Sequence, residues 1–349
     1  MSTTIALLLF QDGLTSGLIY ALLALSILLV FVVTRVLWVP AGDFLVFGAL
    51  TFALLQKGEI PGTVWLCGAL GCATAVVETW RAWRSNDWHG WRPVVAISLG
   101  TPLLVGGTVY FLAASTLSLA VQVLLTLALI VPMGFMLYRI AFRPLADKSV
   151  LILMFVAIAV HYCLVGLGLL FFGSEGYRTS PFIASRIDAG ITSISWQLVL
   201  VLAASGILMI GLWLFTGRTL WGKALRATAV NRFGARLVGI RTETMGAVTF
   251  TIAALIGAFS GILISPVTTL FYDSGFLIAL KGFVGAVVAG MASFPLAVIG
   301  AVVVGVVESF SSFYASALKE AIVFALLIPF LLWRSAVEPR GHETHEHDE

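Results

Sequence analysis

Charged side chains are scarce in this sequence, since Asp, Glu, Lys and Arg together make up only 11% of its 349 residues. Soluble globular domains carry about 25% charged residues. The low charged fraction and the high mean hydropathy of +1.05 both exclude a soluble protein. The 20 basic residues exceed the 17 acidic ones by only three. This small excess gives no reason to expect a nucleic-acid partner, and the composition indicates a protein surrounded by membrane lipid.

Cysteine is also scarce. Cys67, Cys72 and Cys163 lie within apolar runs and lack the spacing of metal ligands, so we expect neither a disulfide framework nor a metal site. His161 has no partner on its own helical face, because Cys163 follows at only two residues. The sequence offers no nucleophile and base for catalysis. We therefore expect no catalytic residue and do not expect an enzyme.

Long hydrophobic runs, by contrast, are abundant. A helix that crosses a bilayer needs about 20 apolar residues. Runs of this kind occur at 12–34, 60–80, 93–113, 117–138, 149–172, 196–216, 244–266, 296–314 and 318–334. Shorter, glycine-interrupted stretches at 41–57 and 275–293 are either further spans or broken, re-entrant helices. The sequence predicts an all-α polytopic membrane protein with 8–11 transmembrane or re-entrant helices, and one transmembrane domain over residues 1–335.

The distribution of basic residues predicts the orientation, because short cytoplasmic loops collect Lys and Arg. With eleven segments and the N-terminus outside, the inner loops and the C-terminus hold 15 Lys and Arg, whereas the outer loops hold four. We therefore expect the N-terminus outside and the C-terminus in the cytoplasm. The tail at 336–349 contains three His and five acidic residues, a composition that predicts a disordered cytoplasmic tail.

Residues 217–241 form a basic segment with six Lys and Arg and no acid. Apolar residues recur there at i, i+4 spacing, with two arginines beside them on the same helical face: Leu225, Ala229, Phe233, Leu237, Arg232 and Arg236. Gly234 is predicted to divide the segment into a short helix, a turn and a second helical piece. Spacing alone leaves two interpretations open. The segment is either an amphipathic helix on anionic lipid or a docking element for a soluble cytoplasmic partner.

The start of this segment, GRTLWGKA at 217–224, matches the phosphate-binding pattern G-x-x-x-x-G-K up to its last position. Ala224 stands where Ser or Thr would hold Mg²⁺, and Leu220 and Trp221 are too bulky for a tightly curled loop. We expect no cofactor in this chain. If ATP drives the protein, ATP and Mg²⁺ must be bound by another subunit.

Several motifs occur together along the chain. Residues 222–240 carry G-x-A-L-R-A-x-A-x-N followed by A-x-L-x-G-I, and residues 13–25 read GLTSGLIYALLAL. FRPL occupies 142–145, and a glycine-rich stretch runs from Leu280 to Glu308. In this combination the sequence resembles the permease subunits of branched-chain amino-acid ABC importers, the LivH type. The resemblance extends over most of the chain.

The resemblance implies that 217–241 is a cytoplasmic coupling segment held in a groove of an ATPase subunit. The coupling residues it implies are Gly222, Leu225, Arg226, Ala229, Asn231, Arg232, Phe233, Arg236, Leu237 and Gly239. It further implies a second permease subunit of the LivM type, two ATP-binding subunits and a periplasmic substrate-binding protein at a bacterial cytoplasmic (inner) membrane. The implied cargo is a branched-chain or related largely apolar amino acid, or a similar small carboxylate.

The first broken segment also resembles that family. Its motif there is N-F-A-H-G-E/D-F, whereas this chain reads WVPAGDF at 38–44, with Trp and Ala in place of the Asn and His. Residues that could line the translocation pathway are Tyr20, Trp38, Gly42, Asp43 and Phe44. Capping of a helix N-terminus is an equal alternative for Asp43, and packing with a bonded hydroxyl is the leading interpretation of Tyr20.

Other ionisable residues at membrane depth need partners, because an unpaired charge in hydrocarbon costs at least ~2.5–3.5 kcal/mol. For Lys281 and Glu308 a structural ion pair between helices is the leading interpretation and a gating role is the second. His161 is interpreted as a satisfied interhelical donor. A self-sufficient secondary transporter or channel for small organic solutes is the competing function, but it would need paired carboxylates for a coupling ion, and the acids of this sequence are isolated along the chain.

The polar stretch at 173–195 is predicted to be an external loop. In an importer that depends on a binding protein, its charges would steer docking of that protein; these residues are Glu175, Arg178, Arg186 and Asp188. The alternative is a plain connection between two helices.

Overall fold

A computed structural model describes residues 3–86, 88, 91–112, 117–183, 185–188, 193–291 and 293–337. The first half of the chain forms helices α1 (Thr3–Thr34), α2 (Ala41–Gln56), α3 (Thr63–Ser85), α4 (Trp91–Leu112), α5 (Leu119–Leu137) and α6 (Val150–Phe172). The second half forms α7 (Trp196–Arg218), α8 (Leu220–Val230), α9 (Arg232–Leu237), α10 (Thr242–Ile264), α11 (Gly275–Val288), α12 (Phe294–Tyr314), α13 (Lys319–Ala325) and α14 (Leu327–Val337). A π-helical turn, Tyr138–Phe142, extends α5.

Eight helices among the described residues are long and apolar enough to cross a membrane. They are Thr4–Thr34, Thr63–Arg84, Trp91–Leu112, Leu119–Leu145, Val150–Phe172, Trp196–Arg218, Thr242–Ile264 and Phe294–Tyr314. These eight coincide with predicted runs, and the chain is therefore an all-helical, polytopic membrane protein. The shorter stretches became α2 and α11, which are 16 and 14 residues long.

The predicted run at 318–334 does not form one continuous helix. The structure has two short helices there, α13 and α14, which are interrupted at Leu326. Pro329 explains the interruption, because proline has no N–H to donate and its ring clashes with the carbonyl of the residue four positions earlier.

Two helices form the centre of the bundle. In α1, 89% of the most apolar window is buried inside the protein, and in α10 72% is buried, whereas the figure for α7 is 17%. Helix α1 packs against α12, α10 and α11, and α10 packs against α2 and α5. A helix that is apolar on all sides is either enclosed by protein or exposed to lipid, and here burial separates the central helices from the peripheral ones.

Close helix contacts at the centre depend on glycine. A Cβ on Gly17 would lie 2.8 Å from the Cα of Val302, so α1 and α12 approach backbone to backbone. A Cβ on Gly261 would collide with the carbonyl oxygen of Leu45, which brings α10 equally close to α2. Small residues permit this approach in membranes, where packing drives helix association.

The connection between α6 and α7 contains a short two-stranded antiparallel ladder, β1 (Arg186–Asp188) and β2 (Ser193–Ser195). The side chains of Arg186 and Asp188 fall outside the described part of the structure, as do residues 338–349 of the predicted tail.

Candidate functional site

The two short apolar helices begin against each other. A Cβ on Gly42 would collide with the backbone of Gly275, and the same holds in reverse. Both glycines lie in the first turn of their helices, α2 and α11. Along α10, the residue that faces this region is Gly257, whose added Cβ would lie 2.9 Å from the Cβ of Phe44. The junction of α2 and α11 thus lies beside α10, one of the helices long enough to cross a membrane.

Asp43 and His161 form a buried pair at this junction. The Nδ1 atom of His161 lies 2.8 and 2.9 Å from the two carboxylate oxygens of Asp43. The predicted alternative that Asp43 caps its helix is wrong, because α2 has no side-chain cap and the carboxylate is turned to α6 instead. A negative charge in the first turn of a helix is still favoured by the helix dipole. The sequence treated the two residues separately, and the structure brings them together.

A cavity of about 340 Å³ adjoins this pair. Its wall includes Trp38, His161, Tyr162 and Phe276, together with aliphatic side chains. His161 stacks on Phe276 with their ring centroids 5.1 Å apart. The cavity wall is therefore mostly apolar, with the imidazole of His161, the hydroxyl of Tyr162 and the indole N–H of Trp38 as polar groups, a composition common in sites for small organic ligands.

Apart from Trp38, the predicted pathway residues do not line this cavity. Phe44 is fully buried against Trp38, and the two ring centroids are 5.6 Å apart. Trp38 also packs edge to face on Phe142 and Phe250, and its own exposed fraction is zero. Phe44 thus belongs to an aromatic core, and Trp38 forms part of both that core and the cavity wall.

Tyr20 belongs to a second polar cluster. Its hydroxyl donates to Glu308 at 2.6 Å. Lys281 donates to Glu308 at 2.5 Å and to Glu320 at 3.1 Å, and its ammonium lies 5.8 Å from the centre of the Tyr20 ring. The predicted Lys281–Glu308 contact is therefore present. The sequence suggested that the acids are isolated, whereas the structure brings Glu308 and Glu320 close to each other. Lys281 lies between the two carboxylates and supplies the positive charge that a coupling cation would supply in a secondary transporter.

The basic segment folds as two short helices, as predicted, but the break is at Asn231, and Gly234 lies inside the second helix. Asn231 is extended, and its side-chain oxygen accepts from the N–H of Gly234 at 2.8 Å, which caps the start of α9. Thr219 caps α8 in the same way through the N–H of Gly222. Gly239, at φ +84°, ends α9 in the left-handed conformation that favours glycine.

The predicted single apolar face is wrong because Asn231 interrupts it. Leu225 is only 1% exposed and packs on Val33 and Met245 of the membrane helices. A Cβ on Gly222 would collide with the carbonyl of Phe215, so this glycine permits α8 to fold back on α7. These two residues face the membrane domain and cannot contact a partner directly.

The arginines hold the segment to the rest of the chain. Arg232 donates to the carbonyl of Ala146 at 2.8 Å. Arg236 donates to Thr242 at 2.9 Å and approaches Asp147 at 3.3 Å. Arg226 donates to the carbonyl of Gly217 at 3.0 Å. All three guanidiniums, which sequence reasoning assigned to docking, make contacts within this chain.

Apolar side chains remain on the outer side of the segment. We call this set the exposed block face: Val230, Phe233, Leu237 and Val238. Phe233 is 71% exposed and Leu237 is 72% exposed. Predicted residues Phe233 and Leu237 are thus available to a partner, whereas Ala229 is half-buried.

A charged cluster beside this segment was missed by the sequence reasoning. Glu78, on α3, is buried and accepts from Arg143 at 2.8 and 2.9 Å and from Arg81 at 3.1 Å. Arg139, in the π-helical turn, lies 3.5 Å from the same carboxylate. A signal was present, because Glu78 is an acid within the predicted run 60–80 and must find a partner at that depth.

Part of the stretch between α6 and α7, which was predicted to be an external loop, packs on the chain after α10. Arg178 donates to the carbonyl of Pro266 at 3.1 Å, while Glu175 is exposed. Tyr177 pairs with Leu270 through both backbone groups, and Lys57 lies 4.7 Å from the centre of the Tyr177 ring. Tyr177 and Arg178 are therefore held against the chain after α10. Among the described residues there is no group of three His, Cys, Asp or Glu that could hold a metal ion.

Comparison with known proteins gives a consistent result. A sequence profile of the family described as "Branched-chain amino acid transport system / permease component" matches residues 92–331. The chain is 30% identical over 208 residues to the high-affinity branched-chain amino acid transport system permease protein BraD of Pseudomonas aeruginosa, an alignment that covers 58% of this chain and 68% of that protein. It is 31% identical over 210 residues to the corresponding protein LivH of Salmonella typhimurium, covering 57% and 67%. A probable LivH of Methanocaldococcus jannaschii is 27% identical over 183 residues, covering 50% and 58%.

Proposed function

The chain belongs to the family of branched-chain amino acid transport permease components, and from this premise we propose that it is one membrane subunit of an ABC importer that depends on a binding protein. It works with a second permease subunit of the LivM type, two ATP-binding subunits and a periplasmic substrate-binding protein. The complex lies in a bacterial inner membrane. ATP and Mg²⁺ are bound by the ATPase subunits and not by this chain.

The observation that carries the coupling step is the exposed block face. Soluble proteins bind amphipathic helices through apolar anchors that fill a groove, and an exposed Phe and Leu on a short capped helix suit that role. Two arginines attach the segment to its neighbours in the permease: Arg232 donates to the carbonyl of Ala146, and Arg236 donates to Thr242. A push on α9 by the ATPase is thereby transmitted to α10 and to the loop after α5.

The orientation proposed places this face in the cytoplasm, with the N-terminus outside and the C-terminus inside. Its support is the asymmetry of basic residues between the loops. The outer loop at 173–195 then faces the binding protein, and the exposed Glu175 is positioned to steer docking.

The cargo proposed is a branched-chain amino acid or a related largely apolar amino acid or small carboxylate. The apolar cavity beside Asp43 and His161 supports this choice, because an aliphatic side chain loses less hydration there than a polar one. In related transporters of other folds, the N-termini of broken helices face the charged groups of the substrate, and α2 and α11 start at this junction.

The test is a pull-down of the ATPase subunits with the full chain in detergent. Phe233→Asp places a charge in the proposed groove and should weaken association by at least tenfold, since buried aromatic anchors contribute about 2 kcal/mol or more. Phe271→Asp makes the same change at an exposed aromatic residue outside the candidate membrane spans and should leave association unchanged. Equal association of both variants would contradict the assignment.

A further inference from the structure

A polar cavity of about 700 Å³ lies beside the basic segment and has no part in the function proposed above. Its wall is formed by the ends of α3 and α5, the start of α4 and the start of α10. Five guanidiniums and three carboxylates line it: Arg81, Arg139, Arg143, Arg236 and Arg241 with Glu78, Asp147 and Glu243. The wall therefore carries two positive charges in excess.

The three carboxylates are already engaged. Glu78 accepts hydrogen bonds from both Arg81 and Arg143. Glu243 accepts from Arg143 at 2.8 Å, and Asp147 lies 3.3 Å from Arg236. Arg241 forms no ion pair with any described residue. In Arg139, the buried Nε atom has no hydrogen-bond partner in the described part of the chain. Unused cationic donors thus remain in the cavity wall.

The start of α10 adds to this positive potential. Helix α10 begins at Thr242 after Arg241, and no side chain caps its N-terminus. Arg241, Thr242, Glu243 and Thr244 all line the cavity. The first N–H groups of a helix lack intrahelical partners, and the dipole of a long helix favours an anion there. A 23-residue helix thus directs its positive end at a basic cavity.

The depth of the cavity indicates which anion it meets. Glu78 and Arg139 lie within candidate membrane spans, and Trp91 lines the cavity. Trp80 and Trp83 are exposed on α3 close by. Tryptophan is enriched at the level of lipid headgroups, so the cavity lies at the membrane boundary. The exposed block face, where a soluble ATPase would bind, does not line it.

We propose that this cavity binds the phosphate group of an anionic phospholipid, between Arg139, Arg241 and the N-terminus of α10. Basic pockets between helices on the cytoplasmic side bind such headgroups; the cytoplasmic placement here rests on the proposed orientation. The bound phosphate bridges the α3–α4 hairpin to the start of α10. It thereby holds the basic segment, through Arg236, in a fixed position against the membrane domain.

The test is native mass spectrometry of the purified full chain, titrated with phosphatidylglycerol, with phosphatidylcholine and with inorganic phosphate. Phosphatidylglycerol should bind more tightly than phosphatidylcholine. Arg241→Gln should weaken its binding about fivefold, the effect expected for one basic residue near an anionic headgroup, and Arg241→Lys should restore most of it. Arg241 has no carboxylate partner to leave unpaired, so the variant should fold.

Two matched variants sharpen the result. Arg92→Gln removes an exposed arginine next to Trp91 that does not line the cavity, and it should leave binding unchanged. Glu243→Gln removes a negative charge from the wall and should strengthen binding. Equal effects of Arg241→Gln and Arg92→Gln, or equal binding of the two lipids, would overturn the proposal.

Two further outcomes also count against a lipid. Displacement of phosphatidylglycerol by inorganic phosphate at the same concentration would assign the cavity to a free anion. Unchanged lipid binding together with weaker ATPase association in Arg241→Gln would assign it to an acidic side chain of the ATPase. Since no transport is measured, failure here leaves the proposed permease function untouched.

Discussion

Polar and apolar side chains are placed in opposite ways in two regions, the junction of α2 and α11 and the segment formed by α8 and α9. At the junction, Asp43 and His161 are buried and satisfy each other, while the surroundings are apolar. In the segment, Phe233 and Leu237 are exposed, while the arginines face inward to carbonyls of the same chain. The first arrangement isolates a polar pair from lipid, and the second leaves apolar side chains exposed where we propose that the ATPase binds.

The largest effect is expected from breaking the pair at the junction. Asp43→Ala should lower the free energy of unfolding by about 2–5 kcal/mol, because it leaves a buried imidazole without its partner. Reversible unfolding in mixed micelles would measure it. The double variant with His161→Ala should lose less than the sum of the two single variants. Additive losses would show that the two side chains do not interact.

A smaller effect is expected from adding one methyl group at the centre. Gly261→Ala forces α10 away from the carbonyl of Leu45 and should lower the free energy of unfolding by about 1–3 kcal/mol. Gly206→Ala, on α7, meets no atom within 4 Å and should be neutral or slightly stabilising. The same unfolding assay compares them, and equal losses would contradict the close approach of α10 and α2.

The smallest effect is expected in the segment itself. Asn231→Ala removes the cap of α9 and should cost about 1 kcal/mol of local stability, read as faster amide hydrogen exchange in α9. Asn231→Asp keeps the acceptor oxygen and should retain protection. If both variants exchange at the same rate as the wild type, the side chain does not cap this helix.

The sequence predicted the spans well because membrane helices require long apolar runs, and eight of these are present. At 318–334 it predicted one span, whereas the structure has two short helices, because Pro329 removes a backbone hydrogen bond. It also failed to separate Leu225 from Phe233, which share one face only if the helix is continuous. A break in the basic segment was predicted at Gly234, but it is at Asn231, whose side chain caps α9 through the N–H of Gly234.

Asp43 was predicted as a candidate pathway residue and His161 as a satisfied interhelical donor, but their contact with each other was not predicted. Asp43 and His161 are 118 residues apart, and spacing carries no information about such a contact. What the sequence did indicate is that each polar side chain at that depth needs a partner. The same argument applies to Glu78, whose arginine partners come from α3 itself, from the π-helical turn and from Arg143.

The central claim is that this chain has no energy source of its own and is driven by ATPase subunits at the exposed block face. Uptake of labelled leucine into proteoliposomes tests it most directly, with the binding protein and both permeases present and the ATPases either added or omitted. The account predicts accumulation above the external concentration only with ATPases and ATP. Accumulation by this chain alone, without nucleotide, would contradict it.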